Sequence, residues 1–74
     1  MTLAELPVGS RARIVTLSGD DEAVERMMEM GLIEGTEFSL VRFAPLGDPL
    51  EIKTRGYHLT LRKAEAAQIE VEAL

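Results

Sequence analysis

Few side chains in this sequence could do chemistry. His58 is the only histidine and there is no cysteine, so within one chain no second imidazole or thiolate can join it. Borderline metals want several nitrogen or sulfur donors. The plain reading of His58 is therefore a solvated strand residue; the alternative is a weak divalent site shared across an oligomer contact. Asp20, Asp21 and Glu22 cluster but miss the calcium-loop spacing and suit a helix start. Ser10, Ser18 and Ser39 lack a neighbouring histidine-plus-acid pattern. Gly31, Gly35 and Gly47 are scattered, with no phosphate-loop or dinucleotide-loop spacing. Arg42, Arg55 and Arg62 sit in no motif that assigns them to a transferred phosphate. An enzyme is not expected.

Size and charge agree. The chain has 74 residues, 46% of them hydrophobic, and reads as one small domain over residues 1–74. A chain of about 60 residues buries only about 60% of its unfolded surface, which leaves little core to spare for a deep pocket. The net charge is −5, which disfavours nucleic acid as a partner and repels anionic membrane surfaces. No apolar run approaches the length of a membrane span, so no direct membrane insertion is expected. The first residues lack the basic and apolar stretches of a secretory signal. A cytoplasmic protein is expected.

The elements that must position these residues are legible from period and punctuation. Leu3 to Ser10 reads as an entry segment ending in a turn. Ala12 to Leu17 alternates as a strand, with Ala12, Ile14 and Thr16 on one face. A helix follows over about Asp21 to Met30, with Asp20 as N-cap and acids in its first turn. At 100° per residue, Ala23, Val24, Met27, Met28 and Met30 share a face, opposite Glu22, Glu25, Arg26 and Glu29. Gly31 falls at the left-handed C′ position, and Leu32 as C″ should pack back on Met27. Gly35 marks a turn. Thr36 to Phe43 is a strand whose alternation blurs after Leu40, which a bulge or burial on both sides would explain. Leu50 to Arg55 and Tyr57 to Arg62 alternate cleanly about Gly56, with Tyr57, Leu59 and Leu61 inward and His58 outward. Lys63 to Ala67 is a helical turn, and Ile69 to Glu72 a last strand. The order is mainly β with one or two short helices. Five short strands bury their core best by curling into a small barrel with the helix across one opening.

Recognition at the surface is the remaining functional class. The apolar arc of the helix spans about 160°, wider than a helix on a small barrel can cover. Met28 or Met30 is thus expected to stay exposed beside Leu32. The segment Ala44-Pro45-Leu46-Gly47-Asp48-Pro49 opposes both strand and helix yet carries a bare leucine. Leu46, next to Pro45, is either a plug folded on the barrel end or a knob that extends the methionine patch. Met28, Met30, Leu32, Pro45 and Leu46 are the candidate partner-binding residues.

These residues resemble the FeoA family, ferrous iron transport protein A. The marks are Leu6-Pro7-x-Gly9, Met30-Gly31-Leu32-x-x-Gly35, Ala44-Pro45-Leu46-Gly47-Asp48-Pro49, and Gly56 with Leu59-x-Leu61-Arg62-x-x-Glu65-Ala66. Gly31, Gly35, Gly47, Asp48, Pro49 and Gly56 enter as motif residues with structural roles. The resemblance implies an SH3-like barrel and a small cytosolic accessory of bacterial ferrous-iron uptake. The implied partner is the cytosolic part of FeoB, a membrane protein with a G domain; self-association stays open. No catalytic residue and no cofactor is carried over. The resemblance also admits a metal-responsive regulatory domain, like the SH3-like C-terminal domains of metal-dependent repressors, with His58 as its weak metal candidate.

Overall fold

The alternating and helical periods become five strands and two short helices in the computed structural model, which describes residues 1–74. A 3-10 turn at Leu3–Glu5 precedes β1 (Arg11–Leu17), α1 (Asp21–Glu29), β2 (Glu37–Phe43), β3 (Leu50–Thr54), β4 (Tyr57–Leu61), α2 (Lys63–Ala66) and β5 (Ile69–Ala73). All strand pairings are antiparallel, in the order β4-β3-β2-β1-β5. One face of this sheet supplies the core: Ala12 and Ile14 from β1, Phe38 and Leu40 from β2, Leu50 and Ile52 from β3, Leu61 from β4, Ile69 and Val71 from β5. Leu3, Leu6, Met27, Leu32 and Ala66 complete it.

Two bulges shape the sheet. The β2–β3 register shifts between Leu40 and Arg42, where the alternation blurs. The β1–β5 register shifts between Ile14 and Thr16. That second shift corrects the expectation for Thr16: it is exposed, and Leu17 turns inward in its place. A bulge inserts one residue on one strand, so every later side chain changes face.

Helix α1 begins as its sequence dictates, with Asp20 Oδ1 accepting the N–H of Ala23 (2.8 Å). It ends at Glu29, with Met30 as C-cap. Gly31 has φ +89°. Its N–H donates to Met28 O (2.9 Å), and the N–H of Leu32 donates to Met27 O (3.1 Å). Those two bonds define a Schellman ending and return Leu32 to the core. The β3–β4 connection lies over this helix end. It is a two-residue turn at Arg55 and Gly56, both with positive φ, as a hairpin matched to strand twist requires. Tyr57, expected to point inward, instead stands at the edge and donates its hydroxyl to Met30 O (3.3 Å). The open helix carbonyl offers a partner that the apolar core does not.

Helix α2 is held at its start by one side chain from the β2–β3 loop and one of its own. Asp48 Oδ1 accepts the N–H of Lys63 (3.0 Å), and Glu65 Oε1 accepts the N–H of Arg62 (3.0 Å). Glu65 also forms an ion pair with Arg26 of α1. The backbone bond from Arg62, followed by Arg26, holds the Glu65 carboxyl below its ordinary range.

Two outcomes are expected. Gly31→Ala forces a side chain into the left-handed region, at about 1–2 kcal/mol, and sets its Cβ 2.8 Å from the Tyr57 hydroxyl. Gly35→Ala has the same backbone demand but open space around it. Thermal melting should therefore show Gly31→Ala as the more destabilised, with the gap closing in a Tyr57→Phe background. Equal melting in the original background would show that the Tyr57 contact carries no cost. Glu65→Gln should cost about 1 kcal/mol at neutral pH. Because the folded carboxyl titrates below its unfolded value, its contribution is present above about pH 4.3 and fades as the pH falls through the folded value. Denaturant titrations at a series of pH values should show the two curves converging on acidification.

Candidate functional site

The β2–β3 connection, residues 44–49, is a turn held by its own backbone. Gly47 N–H donates to Ala44 O (2.7 Å), and Ala44 N–H donates to Pro49 O (2.8 Å). Pro45 and Leu46 occupy the central positions, where proline presets φ. The Asp48–Pro49 peptide is cis. Asp48 ties the base of the loop to α2 through Lys63, as above. Leu46 stands at the tip, 96% exposed, beside exposed Pro45. Of the two jobs open to it, it is a knob and not a plug.

The methionines of α1 divide. Met27, near the middle of the apolar arc, is in the core. Met28, at one edge, is 51% exposed and lines a groove of about 370 Å³ with Leu17, Val24, Ile33 and Glu34. Met30, at the other edge, packs partly on the core and lines a separate cleft of about 600 Å³. That cleft lies between α1, the C-terminal end of β4, α2 and the loop, with Asp48, Pro49, Thr60, Leu61 and Arg62 among its walls. Leu32 is wholly buried, which corrects its place among the partner-binding candidates. The Schellman turn that packs Leu32 against the helix also removes it from the surface. One patch running from the methionines through Leu32 to Leu46 is thus not what the fold builds. Met28 and Met30 face different grooves, and Ile33 takes the exposed place beside Met28.

His58 lies on the outer face of the sheet. Its Nδ1 is 2.6 Å from Glu51 Oε2, and Arg42 Nε donates to Glu51 Oε1 (3.2 Å). The His58 bond, followed by Arg42, holds the Glu51 carboxyl below its ordinary range. Glu51 therefore serves a cross-strand ladder over β2, β3 and β4. No group of three or more His, Cys, Asp or Glu side chains is placed to hold a metal ion. No helix is long and apolar enough to cross a membrane.

Asp48 and Tyr57 position this region in ways the sequence did not announce. A turn aspartate has local partners by default, and only the fold brings Lys63 to it. An alternating tyrosine reads as inward until a helix end with open carbonyls lies within its reach.

Comparison with known proteins adds to this geometry. A family model described as "FeoA domain" matches residues 1–73. A curated relative from Porphyromonas gingivalis, an Fe(2+) transport protein A/Fe(2+) transporter FeoB fusion protein, is 39% identical over the whole chain; the chain spans 9% of that relative's length. The solution structure of FeoA from Chlorobium tepidum matches with a TM-score of 0.92 and 40% identity, over 100% of this chain and 70% of that one. A crystal structure of Stenotrophomonas maltophilia FeoA with zinc, described as a prokaryotic SH3 domain protein, matches with a TM-score of 0.82 and 30% identity, over 97% and 89%. The fold is thus the SH3-like one that the sequence marks imply. With its motifs, its five-stranded sheet and a match over nearly its full length, this chain belongs to the FeoA family, whose members are associated with ferrous-iron transport.

Proposed function

We propose that this domain is a cytoplasmic docking accessory of a FeoB-type ferrous-iron transporter, acting by binding rather than catalysis. The observation that carries the reading is the Porphyromonas gingivalis relative, in which a homologue of this whole chain is joined to a FeoB transporter in one polypeptide. Domains joined in one protein work at high effective concentration of each other, and a separate chain must reach the same arrangement through a binding surface. The cytosolic G-domain part of the transporter is the partner in this proposal.

The surface offered is the loop at residues 44–49. Burying a leucine side chain contributes about 1.5–3 kcal/mol, and Leu46 is almost fully exposed on a turn that its own hydrogen bonds and two prolines restrain. Little conformational entropy is then lost on docking. Pro45 borders the contact; Met28 and Met30 offer apolar surface on either side of α1.

Leu46→Asp should weaken binding to the purified cytosolic part of the FeoB-type transporter by about 10- to 100-fold, the equivalent of about 1.4–2.8 kcal/mol. The melting temperature should stay unchanged, because Leu46 touches no core residue. Isothermal titration with both proteins checks this. Unchanged affinity in a folded variant would remove Leu46 from the contact. Absence of binding by the original chain would end the docking proposal.

A further inference from the structure

The sheet has two ends, and they are finished differently. The outer side of β5 is partly bonded: Val71 N–H donates to Met1 O (2.9 Å), and Thr2 bridges to Glu70. The outer side of β4 is not. In the β3–β4 hairpin the turn fixes Thr54 and Tyr57 as a hydrogen-bonded pair, so Ile52 with Leu59 and Leu50 with Leu61 follow. His58 and Thr60 therefore aim their backbone N–H and C=O groups away from the sheet, and neither makes a backbone bond to any loop or helix. The strand Tyr57-His58-Leu59-Thr60-Leu61 has no proline, lysine or bulge, the usual guards of an edge.

Charge gathers at the same place. Of the eight lysines and arginines, Arg11, Arg13, Arg26 and Arg42 are in ion pairs. The other four are Lys53, Arg55, Arg62 and Lys63. Lys53 lies opposite His58, Arg55 is in the turn that opens β4, and Arg62 and Lys63 follow directly on it. The nearby acids are already engaged: Glu51 with His58 and Arg42, Asp48 with Lys63 N–H, Glu65 with Arg26 and Arg62 N–H. In a chain of net charge −5, all the cations without an ion pair thus surround its one open strand edge. Beside that edge runs the cleft of about 600 Å³, where Met30 supplies apolar surface over buried Leu61.

We infer that the free edge of β4 is a docking edge for an extended acidic segment of a partner protein, which adds to the sheet as a further strand. Backbone bonds to His58 and Thr60 hold the segment, and side-chain alternation sorts its residues. Those beside His58 and Lys53 lie on the outer face and are acidic, as is the one that meets Arg62 in the cleft wall. Those beside Leu59 and Leu61 turn toward the cleft and are apolar. A second copy of this chain is a poor occupant, because edge-to-edge pairing would bring the two sets of unpaired cations together. The inference stands apart from Leu46 docking and does not depend on which protein carries the segment.

The test uses the full chain, labelled with nitrogen-15, and a short capped peptide alternating glutamate with valine. Free in solution, the amides of His58 and Thr60 should exchange with solvent faster than those of Leu59 and Leu61. On addition of the peptide, both should shift and gain protection, while a lysine–valine peptide leaves them unmoved. Arg62→Glu with Lys63→Glu should weaken binding about tenfold, and added salt should weaken it in the original chain. Thr60→Pro removes one outward donor and none of the ladder bonds to β3, so it should abolish protection at His58; if it unfolds the domain, the charge reversal decides. Equal response to both peptides, shifts centred elsewhere, no response, or full affinity after charge reversal would each overturn the inference. So would protection of these amides that grows with protein concentration alone, which would assign the edge to a second copy.

Discussion

At Gly31 the chain takes φ +89° and reverses, with Leu32 N–H on Met27 O and Gly31 N–H on Met28 O. Much of the molecule depends on this reversal. It stops α1 at a length that places Met27 over the core and leaves Met28 and Met30 at opposite edges of its apolar arc. It sends Leu32 inward, completing the end of the core that the sheet cannot reach. It also leaves the Met30 carbonyl open, and Tyr57 fills that vacancy from the first position of β4. A side chain at position 31 would meet both the backbone strain and the tyrosine hydroxyl.

A small core makes the second layer of organisation electrostatic. Asp48 and Glu65 satisfy the backbone donors at the start of α2, and Glu65 also reaches Arg26 of α1. Each bond to a carboxylate is modest alone. Together they fix the base of the 44–49 loop and the end of the helix in one frame. The loop tip is then free to present Leu46 without the domain losing core to do it. For a chain this size, an outward, preset apolar residue is a less costly functional device than a pocket.

The same economy bears on the family relationship. Solved FeoA structures match this five-stranded fold closely, and in one relative the domain is joined to the transporter itself. What this fold makes available lies at its boundary: a stiff apolar knob, two grooves flanking α1 and a strand edge ringed by cations. Contact areas of this kind suit recognition by segments of another protein.

Strand periods, the Asp20 cap, the Gly31 ending, the break in alternation after Leu40 and the family motifs were all legible in the sequence, because each is written in residues a few positions apart. The barrel-like curl was legible too, since five short amphipathic strands have few other ways to bury one face. The surface was much less so. The bulge after Ile14 exchanged Thr16 for Leu17, and no residue type there signals it. Leu32 reads equally well as a core or a patch residue, and Tyr57 reads as inward although it stands at the edge. Leu46 had an even choice between plug and knob until Asp48 met Lys63 and the loop base was anchored. Local pattern determines which face of an element is apolar. Only the tertiary structure decides which part of that face another segment covers, because the covering groups come from distant positions whose arrival depends on register, bulges and caps elsewhere.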